Sequence, residues 1–202
     1  QLSFKVVTEI STRLAMLKRG EADIAYAMTG QLGDEVRRSP GLTLKPTPFS
    51  STHWLIFADQ WDPSSPWHDR RVRLAATHAV DRQAINQAET LGFSKITGSV
   101  IPTSFEFYWQ PPIYPYDPAK ARQLLAEAGH PKGFDAGDFS CDAGGTSYCE
   151  SVMNYLQAAG IRTRLRPLER AAFMKAYQEK KLKNVIYSLS GVSGNAATRL
   201  EA

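Results

Sequence analysis

The chain has 202 residues, 43% of them hydrophobic and 22% charged, with a formal net charge of +4. A chain this long makes one large domain or two small ones and buries about 70% of the surface its unfolded form exposes. No apolar run approaches the roughly 20 residues needed to cross a bilayer, and the basic residues are spread through helices rather than gathered in one arm, which argues against a nucleic-acid partner.

The chain opens directly on Gln1-Leu2-Ser3-Phe4-Lys5-Val6-Val7, which reads as a strand over residues 3–7 and not as a signal peptide. A helix follows, capped by Ser11 or Thr12, with Leu14, Leu17 and Lys18 on successive turns and Gly20 at its exit. Residues 23–27 read as a second strand, so the three elements predict a parallel, right-handed β-α-β unit. Glu21 and Asp23 are turn residues in this reading, not a catalytic pair. A short helix over 32–36 is stopped by Ser39-Pro40-Gly41, and Pro46 and Pro48 keep residues 42–48 extended but outside any central strand. Residues 52–58 begin a new strand, which places a domain boundary near residues 46–52.

Asp69 caps the next helix. Val72, Ala75, Ala76, Ala79 and Val80 recur on one face, leaving Arg70, Arg71 and Arg73 on the wet side. Asp81 offers a second cap before Ala84, Ile85 and Ala88, so two short helices meet at Asp81-Arg82. Residues 105–116 hold Phe105, Phe107, Tyr108, Trp109, Tyr114 and Tyr116 among several prolines. Such a segment runs extended, pinned by its rings, either packed on its own domain or serving as a ligand wall or partner surface. Asp117 caps a helix with Pro118 at its first position, Ala121, Leu124, Leu125 and Ala128 on one face, and Gly129 at the exit.

Phe139 begins a short strand, and residues 151–159 form a helix bearing Val152, Tyr155, Leu156 and Ala159, stopped by Gly160. Residues 161–166 then alternate, with Ile161, Thr163 and Leu165 inward and Arg162, Arg164 and Arg166 on a solvated outer face. A helix over 169–180 ends in the basic run Lys180-Lys181-Leu182-Lys183, a charge that suits a helix C-terminus. Residues 185–189 are the last strand.

Reactive chemistry is scarce. His53, His68, His78 and His130 show no i, i+4 pairing and no neighbouring cysteine, so no metal site is expected. Neither a G-x-S-x-G elbow nor a phosphate loop occurs, and no enzyme activity or cofactor is expected. Cys141 and Cys149 flank a segment containing Gly144-Gly145. Their spacing suits neither a C-x-x-C motif nor a zinc site, and both a disulfide and two separate thiols remain open.

Several strings carry a resemblance. The strand Trp54-Leu55-Ile56-Phe57 followed by Asp69-Arg70-Arg71-Val72-Arg73-Leu74-Ala75 and onward to Arg82 resembles the family 5 solute-binding proteins, the dipeptide-, oligopeptide- and nickel-binding components of bacterial ABC importers. So do the Arg13 to Ala25 segment with its Gly20-Glu21-Ala22-Asp23 turn, the helix Tyr116-Asp117-Pro118-Ala119-Lys120, the loop ending in Ile101-Pro102, and Leu156 to Gly160-Ile161. Together they span most of the chain in family order.

The resemblance implies an α/β, periplasmic-binding-protein-like (type II) fragment, a mixed sheet with packed helices comprising part of lobe I and most of lobe II. Residues 1–48 would be partial lobe I, 49–190 the lobe II α/β domain, and 191–202 the start of a return segment. It further implies an exported, periplasmic protein that closes two lobes on a small solute and delivers it to a membrane permease driven by a separate ATPase. A regulatory or scaffolding domain that kept the fold but lost transport is the alternative.

Peptide-binding relatives place an aspartate after the last strand for the peptide's amino group and an arginine before the 151–159 helix for its carboxylate. Here Ser190-Gly191-Val192-Ser193-Gly194-Asn195 contains no acid, and residues 139–151 contain no arginine. A buried ligand charge without a partner costs several kcal/mol, which disfavours a free-ended peptide. Thr146, Tyr148, Ser190, Ser193 and Asn195 remain as candidate contacts for a peptide-like, opine-like or sugar-like solute, each also readable as a turn residue bonded to its own backbone.

Overall fold

The computed structural model describes residues 2–47 and 50–191. The chain divides into two compact units, one of residues 1–48 with 83–95 and one of 49–82 with 96–202.

The first unit is helical. α1 (Ile10–Lys18) buries Leu14, and α2 (Gly30–Arg38) buries Val36. The strands expected at 3–7 and 23–27 do not form among the described residues, and with them the expected β-α-β unit is lost. Both segments lack a ladder, with Ala27 in the left-handed region (φ 63°), and their alternating side chains stand in the open, with Phe4 90% and Val6 96% exposed. Alternation selects a face, whereas a strand also needs a neighbour to pair with. Arg13 ties the two segments together in place of a ladder. Its guanidinium donates to the carbonyls of Val7 (2.7 Å), Thr8 (3.0 Å) and Tyr26 (3.1 Å) and lies 5.2 Å from the Tyr26 ring centroid.

The second unit is built on a four-stranded sheet in the order β1-β4-β2-β3, where β1 is Ser51–Phe57, β2 Phe134–Asp142, β3 Ile161–Leu168 and β4 Val185–Gly191. β2 runs parallel to both β3 and β4, and β1 is antiparallel to β4. Side chains alternate across a strand, and residues directly opposite share a face. The register therefore puts Phe57, Leu55 and His53 on the same face as Val185, Tyr187 and Leu189. Ile56 and Ile186 take the other face, where they pack with Phe173 of α7 (Arg170–Gln178), Leu182 and Leu168.

The first face carries the larger core. α3 (Arg70–Ala79) contributes Val72, Ala75, Ala76 and Ala79, and α5 (Pro118–Glu127) contributes Ala121, Leu124 and Leu125. α6 (Thr146–Ala159) adds Cys149, Val152, Leu156 and Ala159. Small residues on α3 let it approach α5 and α6 closely. Trp67 anchors the cluster at 1% exposure, stacked on Phe57 at 4.4 Å and edge-on to Phe134 at 5.7 Å. The capping expected from sequence is present: Asp69 accepts from the Arg71 amide at 2.7 Å, and Asp117 from the Lys120 amide at 2.8 Å.

α4 (Arg82–Thr90) begins where the second of the two short helices was expected. The aromatic and proline segment is held on its own unit by rings and by carbonyl contacts together: Phe105 is buried, and Tyr114 and Tyr116 sit edge-on to His78 and Tyr155 at 5.5 and 5.6 Å. Arg82 donates to the Tyr114 carbonyl (2.9 Å), the His78 ring meets the Pro115 carbonyl (2.9 Å), and Phe107 and Trp109 stay exposed.

Two boundaries differ from expectation. β2 starts at Phe134 rather than Phe139, because Gly137 (φ 69°) sits inside the strand at a register shift between Asp135 and Asp138. Asp135 accepts from the Gly137 amide at 2.8 Å and so stabilises this bulge. α6 starts at Thr146 rather than residue 151. The Gly144-Gly145 pair forms a tight turn over Ala143–Gly145 that leads straight into the helix, so the loop expected there is short.

Candidate functional site at the carboxyl edge of the sheet

In open α/β sheets, ligand sites form outside the carboxyl ends of the parallel strands. Here that edge is made by the end of β2 at Asp142, the end of β4 at Gly191, the start of antiparallel β1 at Ser51, and the start of α6.

Three aromatic side chains gather there. β1 supplies His53, β4 supplies Tyr187, and the first turn of α6 supplies Tyr148. The rings of His53 and Tyr148 are 4.7 Å apart, those of His53 and Tyr187 5.7 Å, and Tyr148 stacks on Tyr187 at 6.0 Å with 19° between planes. His53 Nδ1 and the Tyr187 hydroxyl share a hydrogen bond. Tyr187 is buried, Tyr148 half-buried and His53 exposed, so the cluster grades from core to solvent. Gly145 lies under it: a Cβ at that position would come within 2.7 Å of the Tyr187 ring.

The sequence-predicted residues fall as follows. Thr146 and Tyr148 are both at this edge. Thr146 is in the first turn of α6, and its hydroxyl donates to the Ala143 carbonyl at 2.8 Å, which gives it a turn role and leaves only acceptor capacity. Ser190 lies in β4 opposite Thr52; its side chain, together with Ser193 and Asn195, lies outside the described residues. Cys141 and Cys149 are both buried and both free thiols.

His53 and Tyr187 were missed from sequence. His53 read as a linker histidine and Tyr187 as an ordinary strand residue, and only the β1–β4 register brings them together. A second omission is the ion pair of Asp142 and Arg170. Arg170 Nη1 donates to Asp142 Oδ2 at 2.9 Å, while Asp142 Oδ1 accepts from the Gly144 amide at 2.9 Å. This acid and this base at the edge are thus paired with each other, while Glu169, beside Arg170, caps α7 by accepting from the Ala171 amide at 2.9 Å. Further along β3, Arg164 pairs with Asp135 (3.0 Å) and Arg166 with Asp138 (3.3 Å) on an exposed face, so these arginines form a solvated charge ladder. Among the described residues, no group of three or more His, Cys, Asp or Glu side chains is placed to hold a metal ion.

This geometry suits binding more than reaction. Flat rings grading into solvent, with hydroxyl and imidazole groups at their rims, offer apolar contact and neutral hydrogen bonds together.

Known proteins share both sequence and fold with this chain. The family model described as bacterial extracellular solute-binding proteins, family 5, middle part, matches residues 1–202. The glutathione-binding protein GsiB of Salmonella typhimurium is 28% identical over 172 residues, which is 83% of this chain and 33% of that protein. Its counterpart from Pectobacterium atrosepticum is 31% identical over 133 residues, 66% of this chain and 25% of the relative. The chain thus spans about a third of the length of the relatives it matches. Among solved structures, the periplasmic binding protein DppA of Helicobacter pylori, in complex with a peptide, superposes with a TM-score of 0.80 at 20% identity, covering 96% of this chain and 37% of that one. NikA of Brucella suis, in complex with Fe(III)-EDTA, gives 0.71 at 23% identity, covering 93% and 41%. The carboxyl-edge site is thus set in a fold shared with binding proteins, and the chain belongs to the bacterial extracellular solute-binding proteins of family 5.

Proposed function

We propose that this chain is part of the substrate-binding component of an ABC-type importer, and that the carboxyl edge of its sheet forms one wall of the solute site. Residues 1–48 would belong to one lobe and 49–190 to the other. The complete protein would work outside the cytoplasmic membrane, holding a small polar solute and passing it to a permease whose ATPase supplies the energy.

The observation that carries this reading is the convergence of His53, Tyr148 and Tyr187 from three separate elements on the edge where α/β proteins bind ligands. The solute class follows from the charges. Arg170, the base at this edge, is paired with Asp142, so a ligand carboxylate would have to compete with that partner. Residues 190–195, at and just after the end of β4, contain no acid to meet an α-amino group. A peptide held by two free α-ends would leave its charges poorly compensated, at a cost of several kcal/mol. A peptide-like solute with blocked or differently placed ends, or an opine-like or sugar-like one, fits better. Glutathione is included as a probe because it is the ligand named for the GsiB relatives; with a free α-amino group and two carboxylates it meets the same charge objection as a free-ended dipeptide.

The test is calorimetry on the complete protein with four solutes: glutathione, a free-ended dipeptide, the same dipeptide acetylated and amidated, and a disaccharide. Binding of the blocked dipeptide or the disaccharide at least about tenfold tighter than the free dipeptide and glutathione, or about 1.4 kcal/mol, is the expected result, and tightest binding by glutathione counts against the charge argument. Tightest binding by the free-ended dipeptide overturns the solute class.

A further inference from the structure

Cys141 and Cys149 are both fully buried on the α6 face of the sheet, one near the end of β2 and the other in the first turns of α6. Only the turn over Ala143–Gly145 separates the strand that carries Cys141 from the helix that carries Cys149, both side chains are fully buried, and each thiol acts on the other's ionisation. Between them runs the segment that carries Asp142, the Gly144-Gly145 turn, Thr146 and Tyr148. The strand end and the helix start are thus already joined by a short turn, with both cysteine side chains out of solvent.

We propose that Cys141 and Cys149 close as a disulfide while the protein folds in an oxidising compartment, and that native packing then seals the bond. The bridge staples the end of β2 to α6 and fixes the turn bearing Thr146 and Tyr148. It stands whether or not those two residues touch solute.

The order of events follows from burial. In the native structure desolvation pushes both thiols up from their ordinary values, Cys149 the more strongly. The thiolate is the nucleophile in exchange, so once α6 has docked neither sulfur attacks or is attacked. Closure belongs to the stage when the 141–149 segment is still exposed. The oxidant is a protein or small-molecule disulfide of the compartment. The thiolate of one cysteine attacks it and releases one thiolate of the oxidant. The second cysteine, as thiolate, attacks the mixed disulfide and releases the other. Two cysteine S–H bonds and the oxidant's S–S bond are lost and one protein S–S bond is gained; the two electrons reduce the oxidant, and the two protons pass through solvent to its thiolates, which leave as thiols.

The test uses the complete protein isolated from its export compartment without reductant. It is denatured with an excess of alkylating agent, and its mass is compared with and without prior reduction. The expected result is no labelling at Cys141 and Cys149 until reductant is added to the unfolded protein. Two labelled thiols in the unreduced, unfolded sample overturn the proposal. A second arm treats the native protein with reductant, then removes it, unfolds and labels. Retention of the bridge supports the sealing step, and its loss within minutes overturns that step. A third arm compares melting of protein reduced while unfolded and then refolded. For a loop of this size the bridged form should melt a few degrees higher. The Cys141→Ala, Cys149→Ala double variant should be indifferent to reductant, and an equal reductant effect in that variant counts against the proposal.

Discussion

The two units of this chain obey the same patterning rules with opposite results. In the unit of residues 49–82 and 96–202, the apolar alternation meets a partner on every side: Phe139, Leu125, Leu156, Ile161, Val72 and Val185 are fully buried around Trp67. In the unit of residues 1–48 and 83–95, Leu14 and Val36 are buried, but Leu2, Phe4, Val6, Ile24 and Tyr26 alternate just as regularly and lie open. Sequence period records which face is meant for a core. Whether that face is covered depends on residues elsewhere, so the first unit relies on its helices and on the Arg13 contacts, while the second is stabilised by burial.

The sharpest way to break this contrast is a pair of truncations in the 202-residue chain, followed by chemical denaturation. Trp67→Ala should destabilise the second unit by about 3–5 kcal/mol, the range for losing a buried aromatic. Leu14→Ala should leave that same transition within about 0.5 kcal/mol, because distant sites without shared partners act independently. Equal effects on one shared transition would mean that the two units unfold as one body and that the contrast is false.

A smaller effect sharpens the account of the second unit. Asp69→Ala removes the acceptor for the Arg71 amide at the start of α3 and should cost about 1 kcal/mol at neutral pH. The Arg71 side chain, helped by the Arg71 amide and charge, holds the Asp69 carboxyl below its ordinary value against the opposing effect of burial. Its folded value is therefore lower than its unfolded one. The contribution is fully present above the unfolded carboxylate range, near pH 4, and disappears as pH falls through the folded value. Wild type and variant should converge in acid, and a difference that persists there would remove the cap as its cause.

The legibility of the fold follows from the same physics. Asp69 and Asp117 were readable because a cap, a helical stripe and an exit lie within one stretch, and all the interactions that define them are local. β3 was readable because Ile161 and Thr163 alternate with arginines over consecutive residues. The early starts of β2 and α6 were obscured by Gly137 and Gly144-Gly145, which signal loops locally but here serve a bulge and a tight turn. At the candidate site, Thr146 and Tyr148 could be named from their polar groups beside two glycines. His53 and Tyr187 could not, because they stand 134 residues apart and meet only through the β1–β4 register. The pairing of Arg170 with Asp142 was hidden likewise, since the arginine arrives from α7 on a later crossover.

The central claim is that this aromatic edge contacts the solute, and Tyr148 is its member at the start of α6, half-buried where Tyr187 is fully buried. The decisive measurement is calorimetry of Tyr148→Ala in the complete protein against the tightest-binding solute of the wild type, with melting temperature recorded alongside. The account predicts an affinity loss of about tenfold or more, some 1.4 kcal/mol, with a melting temperature within a few degrees of wild type. An unchanged Kd in a well-folded variant would contradict it and place the solute elsewhere.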